Sequence, residues 1–248
     1  MSKLALEKLT LINGNKLLIS ELSMSFKSGE CWAVLGPNGS GKTTLLHALA
    51  GLREVQDSIT LNGKAINVYP RRELAQTMSL LLQEEAGGFQ GSVAQYVELG
   101  AFSQGTWLQA NSGAASMAHA AMNRMGIASE ADHLWNRLSG GERQRARLAQ
   151  ILAQAPQIYL LDEPLLHLDL RHQLAVLQCF RSLARDDNKT VIMVLHDSLW
   201  ASRFCDHALM LYDGGVCRFG PAPSLINKDN LARLYSCSMD SFEFSLPA

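Results

Sequence analysis

Gly36-Pro37-Asn38-Gly39-Ser40-Gly41-Lys42-Thr43 matches the phosphate-loop pattern G-x-x-x-x-G-K-[ST]. Its flanks suit the pattern. The apolar stretch Cys31-Trp32-Ala33-Val34-Leu35 runs into it as a strand, and Thr44 to Ala50 leaves it as a helix. Glycines let the backbone curl so that successive N–H groups point at phosphate oxygens, and the helix N-terminus adds partial positive charge. In such a loop Lys42 reaches the β- and γ-phosphates and the Thr43 hydroxyl ligates Mg²⁺. These eight residues and Thr44 are the candidate nucleotide contacts.

The 248 residues suit one large α/β domain, or one core carrying an inserted subdomain. At 47% hydrophobic and 18% charged, the chain can bury a substantial core. A net charge of −1 gives no basic surface for bulk nucleic-acid binding, so nucleic acid is not an expected partner. Five scattered cysteines without C-x-x-C pairing argue for a reducing compartment, against a disulfide framework or zinc site. The first residues lack a signal-peptide core, and no apolar run approaches the ~18 residues that span a bilayer. The expectation is a cytoplasmic protein whose membrane role comes through a partner.

Residues 4–12 and 17–26 read as strands joined by an Asn13-Gly14-Asn15 hairpin turn. Ile59 to Gly63 reads as a strand ending in a turn, and Met78 to Leu82 as a buried strand ending in Gln83. From about Glu84 to Met125 the composition shifts to Ala, Ser, Gly, Gln and Met. Val93 to Leu99 and Ala114 to Met125 read as helices there, with Gln104–Gly113 a polar loop. Strand signals return at Gln157 to Asp162 and Thr190 to His196, separated by helical periodicity from Leu170 to Arg185. Ala208 to Gly220 reads as a closing hairpin. Alternating strands and helices imply a mainly parallel sheet covered on both faces.

Two further stretches carry chemistry. Asp162 and Glu163 end an apolar strand, at the sheet edge where ligands gather in open α/β folds. One carboxylate there can hold Mg²⁺ beside Thr43, and the next can orient or deprotonate an attacking water. In Leu138-Ser139-Gly140-Gly141-Glu142-Arg143-Gln144, Ser139 and Glu142 fit a capping box that opens a helix, while the glycines admit a close backbone approach.

With these motifs in order and spacing, the chain resembles the nucleotide-binding subunits of ATP-binding-cassette (ABC) transporters. The resemblance covers nearly the whole chain and also takes in Gln83 as the Q-loop, Asp169 as the D-loop and His196 as the switch histidine. It implies a P-loop NTPase (RecA-like) fold: a mainly parallel sheet, an N-terminal antiparallel β subdomain and an inserted α-helical subdomain. The implied organisation of the single cassette is an α/β core at 1–83 and 155–222, a helical signature subdomain at 84–154 and a helical tail at 223–248. It implies a head-to-tail homodimer that hydrolyses ATP with Mg²⁺. Each ATP lies between one subunit's phosphate loop and the other's Ser139, Gly140 and Gly141. Glu163 is then the general base, His196 touches the γ-phosphate, and Gln83 touches Mg²⁺ and water. Asp162 and Thr43 hold the metal, and Asp169 bridges the subunits.

Further implied partners are membrane permease subunits and a periplasmic substrate-binding protein, placing the chain on the cytoplasmic face of the inner membrane. The segment after Gln83 would receive a permease coupling helix, with Phe89, Val93, Tyr96, Val97 and Leu99 either lining that groove or forming the insertion's own core. The ending from Pro223 to Tyr235 resembles importer cassettes for cobalamin and for iron chelates such as siderophores and haem, with cobalamin ranked first. A soluble cassette ATPase, as in iron–sulfur assembly, and an exporter subunit remain alternatives.

Two positions depart from the family pattern. Leu165-Leu166-His167-Leu168 replaces the usual small residues before Asp169, and His167 reads as an interface or capping residue. Where an aromatic residue normally stacks on adenine stands about Ile12, preceded by Leu11, and residues 1–16 contain no Tyr, Phe or Trp. Phosphate chemistry is untouched, but base stacking is weak. Steady-state kinetics should therefore give comparable KM values for ATP and GTP; a strong preference for ATP would refute this.

Overall fold

The computed structural model describes residues 4–55, 58–82, 89–102 and 110–238. Strands β1 (Leu4–Asn13) and β2 (Lys16–Phe26) pair antiparallel through a turn at Gly14 and Asn15. They join β4 (Ile59–Leu61) and β5 (Lys64–Ala65) in a four-stranded sheet of order β2-β1-β4-β5. Leu4, Leu6, Leu9 and Leu11 of β1 are all buried. Strict alternation would turn Leu9 outward. A bulge between Leu6 and Leu9, with Lys8 at φ 48°, absorbs the extra residue and returns Leu9 to the core.

The second sheet has six strands in the order β10-β9-β3-β8-β7-β6. These are β3 (Cys31–Leu35), β6 (Met78–Leu81), β7 (Ile158–Asp162), β8 (Thr190–Val194), β9 (His207–Leu211) and β10 (Cys217–Pro221). All neighbours are parallel except β10, which closes the edge antiparallel to β9. Every residue of β3, β7 and β8 is buried, as expected of parallel strands covered on both faces.

Alternation along these strands feeds two cores. Trp32, Val34, Ile158, Leu160, Ile192 and Val194 face the β1–β2 sheet and helix α1 (Lys42–Leu49), which supplies Leu45, Leu46 and Leu49. The intervening residues, among them Ala33, Tyr159, Leu161 and Met193, face the opposite way. That side is covered by α3 (Val93–Ala101), α4 (Ala110–Arg124), α5 (Gly140–Ala153) and α6 (Leu170–Arg185). Helix α2 (Arg71–Thr77) precedes β6, α7 (Ser198–Phe204) precedes β9, and α8 (Ala222–Leu225) and α9 (Lys228–Tyr235) follow β10.

The inserted helices pack tightly. A Cβ on Gly100 of α3 would lie 2.0 Å from the Gln150 carbonyl oxygen of α5, so glycine sets that approach. Ser92 caps α3 in a capping box with Gln95. Val93, Tyr96 and Val97 are buried, and Tyr96 stacks on Trp135 with Phe89 edge-on. Val93, Tyr96 and Val97 thus belong to the core, with Phe89 half-buried against it, and Leu99 alone of the five expected residues is well exposed. The expected polar loop over 104–113 is shorter than its composition suggested, because α4 already begins at Ala110. Small, mostly helix-compatible residues fill its start, and Gly113 costs a helix only about 1 kcal/mol relative to Ala. The rest of that loop, Gln83 and the stretch 84–88 lie outside the described residues. Among the described residues no helix is long and apolar enough to cross a membrane.

Candidate functional site: a phosphate loop at the carboxyl edge of the sheet

Parallel strands point their C-terminal ends the same way, so β3, β7 and β8 deliver Gly36, Asp162 and the segment to His196 to one sheet edge. The loop after β3 is shaped by what its glycines lack. A Cβ at Gly36 would sit 2.6 Å from Ser40 Oγ and 2.7 Å from the Leu211 carbonyl oxygen. Gly39 and Gly41 adopt φ 74° and 102°, left-handed values that L side chains rarely take. Gly41 is the N-cap of α1 and offers no side-chain cap. No acidic residue occupies the first turn either, so its free N–H groups face outward as an anion site. Lys42 Nζ donates to the carbonyls of Gly36 (2.8 Å) and Pro37 (3.0 Å), which keeps the ammonium curled inside the loop. Burial pulls its pKa down, and the charges of Glu163 and Asp162 pull it partly back.

A cleft of about 370 Å³ opens over this loop. Asn38, Gly39, Gly41, Lys42, Thr43, Thr44, Glu163 and His196 line it, together with Asn13 and Leu18. The last two come from the β1–β2 hairpin, and among the described lining residues there is no Tyr, Phe or Trp. Ile12 is 51% exposed and Leu11 is buried, so neither lines the cleft; Asn13 does. Lys16, on the same hairpin, donates to the Gly39 carbonyl at 3.0 Å.

Asp162 is buried, yet neither carboxylate oxygen has a well-formed hydrogen bond. Burial pushes its pKa up. The nearby Thr43 hydroxyl draws it back, Glu163 adds to the rise, and the charges of His47 and Lys42 oppose it. A buried carboxylate with unfilled acceptor positions beside a threonine hydroxyl is the donor set of a hard cation. Glu163 follows with φ 49°, a strained value for this residue, and places Oε1 2.7 Å from His196 Nε2.

The other expected residues lie elsewhere. Ser139 caps α5: its hydroxyl accepts from Glu142 N (3.3 Å), while Glu142 Oε2 accepts from Ser139 N (2.8 Å). Those bonds hold the Glu142 carboxyl below its usual range. Ser139, Gly140 and Gly141 are absent from the cleft lining, as is Asp169. Asp169 caps α6 by accepting from His172 N (2.9 Å), and His172 Nδ1 lies 2.8 Å away. His167, at φ 63°, is folded back on the signature glycines. Its ring would lie 3.5 Å from a Cβ on Gly140, and its carbonyl oxygen 2.9 Å from one on Gly141. One chain thus presents two separate surfaces, a phosphate loop with its carboxylates and a glycine-led helix start.

The sequence profile of the ABC transporter family matches residues 19–166, spanning the loop, the signature and the Asp162-Glu163 strand end. The chain belongs to the ABC transporter family. Its ATP-binding cassette is 34% identical to the hemin import ATP-binding protein HmuV of Rhodopseudomonas palustris, over 94% of this chain and 90% of that protein. It is 32% identical to the iron(3+)-hydroxamate import ATP-binding protein FhuC of Bacillus subtilis, over 95% and 88%. Among solved structures the cassette superposes on a metal-chelate type ABC transporter in an inward-facing conformation. The TM-score is 0.80 at 28% identity, over 95% of this chain and 90% of that one. It also superposes on a dimeric ATP-binding cassette in a post-hydrolysis state with ADP and Pi (TM-score 0.77, 26% identity, 88% and 98% covered). The cassette is therefore a nucleotide-binding ATPase with the P-loop fold expected from its motifs.

The environment of Asp162 has a measurable consequence. Its folded-state pKa is raised, so the folded cassette holds that proton more tightly than the unfolded chain does. The associated stability is full below the ordinary carboxylate pKa of about 4 and is lost as pH rises through the raised folded value. At neutral pH, without nucleotide or metal, Asp162→Asn should melt higher than the parent cassette. The difference should vanish towards pH 4, and a variant that melts lower at neutral pH would contradict this account. Calorimetry across pH checks it.

Proposed function

We propose that this cassette is the ATP-hydrolysing subunit of an importer for an iron chelate, acting as an ATP-sandwich dimer beneath membrane permease subunits. The observation that carries the mechanism is the division of the site: Lys42, Glu163 and His196 share one cleft, while Ser139, Gly140 and Gly141 stand outside it. A second copy must supply them, and a dimeric relative holding ADP and Pi supports that geometry.

In this reading ATP phosphates displace the Gly36 and Pro37 carbonyls from Lys42 and lie along the N–H groups of the loop and of α1. Thr43 and Asp162 would hold Mg²⁺, which would neutralise phosphate charge when bound, and Gln83 is assigned to the same ion. Glu163 takes the proton of the attacking water. His196, 2.7 Å from Glu163, aligns that carboxylate and meets the γ-phosphate. The partner's Ser139 hydroxyl and glycine amides close over the γ-phosphate, and Asp169 lies at the subunit boundary. Tight binding of ATP to the closed dimer and weaker binding of products is what cycles the permease.

The relatives' names favour haem or a hydroxamate chelate over cobalamin as cargo. A periplasmic binding protein would deliver it, and the cassette would sit on the cytoplasmic membrane face. The decisive experiment uses the cassette assembled with its membrane subunits in vesicles. Glu163→Gln should bind ATP with near-parental affinity, lose turnover by at least ~100-fold, accumulate as a nucleotide-bound dimer, and stop uptake of haem or ferric hydroxamate. Unchanged turnover would remove Glu163 as the base, and parental uptake of cobalamin alone would reassign the cargo.

A further inference from the structure

Helix α5 begins with the signature glycines, and two polar side chains on its buried face have no place in the mechanism above. Gln144 is 3% exposed and Arg147 is 9% exposed. They lie four and seven residues after Gly140, on one helical face. Gln144 Nε2 donates to the Pro164 carbonyl (3.1 Å) and to the Glu163 carbonyl (3.5 Å). Gln144 Oε1 accepts from Arg147 Nη1 (3.0 Å). The other arm of that guanidinium, Nη2, donates to the Leu82 carbonyl at the end of β6.

A continuous, largely buried chain of hydrogen bonds therefore runs from the Leu82 carbonyl, through Arg147 and Gln144, to the backbone of Glu163 and Pro164. Near its C-terminus α5 grips the start of the same strand. Gln154 Nε2 donates to the carbonyls of Ala75 (2.6 Å) and Met78 (3.0 Å).

The chemistry suits the geometry. An amide head carries both an oxygen that accepts from a guanidinium and an NH₂ that can donate to two carbonyls, which suits Gln144 to the middle position. Only a planar fork reaches two acceptors in fixed directions, which suits Arg147 and not lysine. Burying such groups is costly unless they are bonded, so the network must be met in full or be replaced by apolar residues. What it holds is a strained residue: Glu163 is left-handed, and Gln144 grips its own carbonyl and the next one, that of Pro164.

We propose that Gln144 and Arg147 are positioning residues for ATP hydrolysis. They hold the Glu163 backbone in its left-handed conformation and tie it to the Leu82 carbonyl just past β6, which fixes the aim of the base. This rests on Glu163 being the general base. A carboxylate displaced by about 1 Å loses roughly 10²-fold in rate while binding survives.

The test measures ATP turnover and nucleotide affinity of the full-length chain for Gln144→Glu, Gln144→Met, Arg147→Met and the Gln144→Met/Arg147→Met double variant, with Glu163→Gln as control. Gln144→Glu keeps its size and its bond from Arg147, but it turns a donor into an acceptor facing two carbonyls. It should lower kcat about 10- to 100-fold with nucleotide affinity changed less than about twofold. Arg147→Met should lower kcat in the same manner. The double variant should fall no further than Gln144→Met alone, because the two act in series. Parental kcat in Gln144→Glu, losses that multiply in the double variant, or parallel loss of affinity and kcat would each overturn the proposal. Should Gln144→Glu not fold, the kcat-against-affinity split of Arg147→Met decides. If Glu163→Gln itself turns over normally, the base assignment fails, whatever the relay variants do. If it is inactive while Gln144→Glu is not, only the relay fails.

Discussion

The crowded turn at Gly36 is the constraint on which the site depends. Ser40 Oγ and the Leu211 carbonyl occupy the space any side chain there would need. With that space filled, the chain curls around Lys42, whose ammonium bonds to the loop's own carbonyls until a better partner arrives. The curl also leaves α1 uncapped. Its N-terminal N–H groups and a lysine then converge where Asp162 and Glu163 end their strand. The same parallel sheet that buries β3, β7 and β8 forces these groups to one edge.

Half of the proposed chemistry lies outside that cleft. The signature glycines open α5 on a different surface, with His167 folded against them. The close approach of the His167 carbonyl to Gly141 means that glycine is required there for intrachain packing as well as for access to phosphate. Through five residues of backbone, Glu163 to His167, the base of one nucleotide site is joined to the signature that would serve the other. The Gln144–Arg147 network adds a second connection along α5. In the proposed dimer the two nucleotide sites are therefore joined by packed and hydrogen-bonded parts of one chain.

Much of this was legible in the residues, because the signals were local. The phosphate loop declares itself by glycine spacing, β3, β7 and β8 by unbroken apolar runs, and the α5 start by its capping box. The period of α6 gave its limits, Leu170–Arg185, outright. What was not legible depends on tertiary juxtaposition. Asn13 and Leu18 reach the cleft only because a bulged antiparallel sheet folds over α1. Helical period places Gln144 and Arg147 on one buried face but cannot name the carbonyls they meet. Phe89, Val93, Tyr96 and Val97 fitted a groove or a core equally well by pattern, and aromatic stacking with Trp135 decided for the core. Helices α2 and α7 were too short for a periodic signal; α7 is marked only by its Asp197 cap.

Backbone hydrogen exchange with a non-hydrolysable ATP analogue and Mg²⁺, at several protein concentrations, tests the central claim most directly. The account predicts that amides of Gly39 to Thr44 are protected wherever nucleotide is saturating, even in dilute protein. Amides of Gly140 and Gly141 should gain protection only as concentration drives two copies together. Loop amides left unprotected by saturating nucleotide, or signature amides protected equally at every dilution, would contradict it.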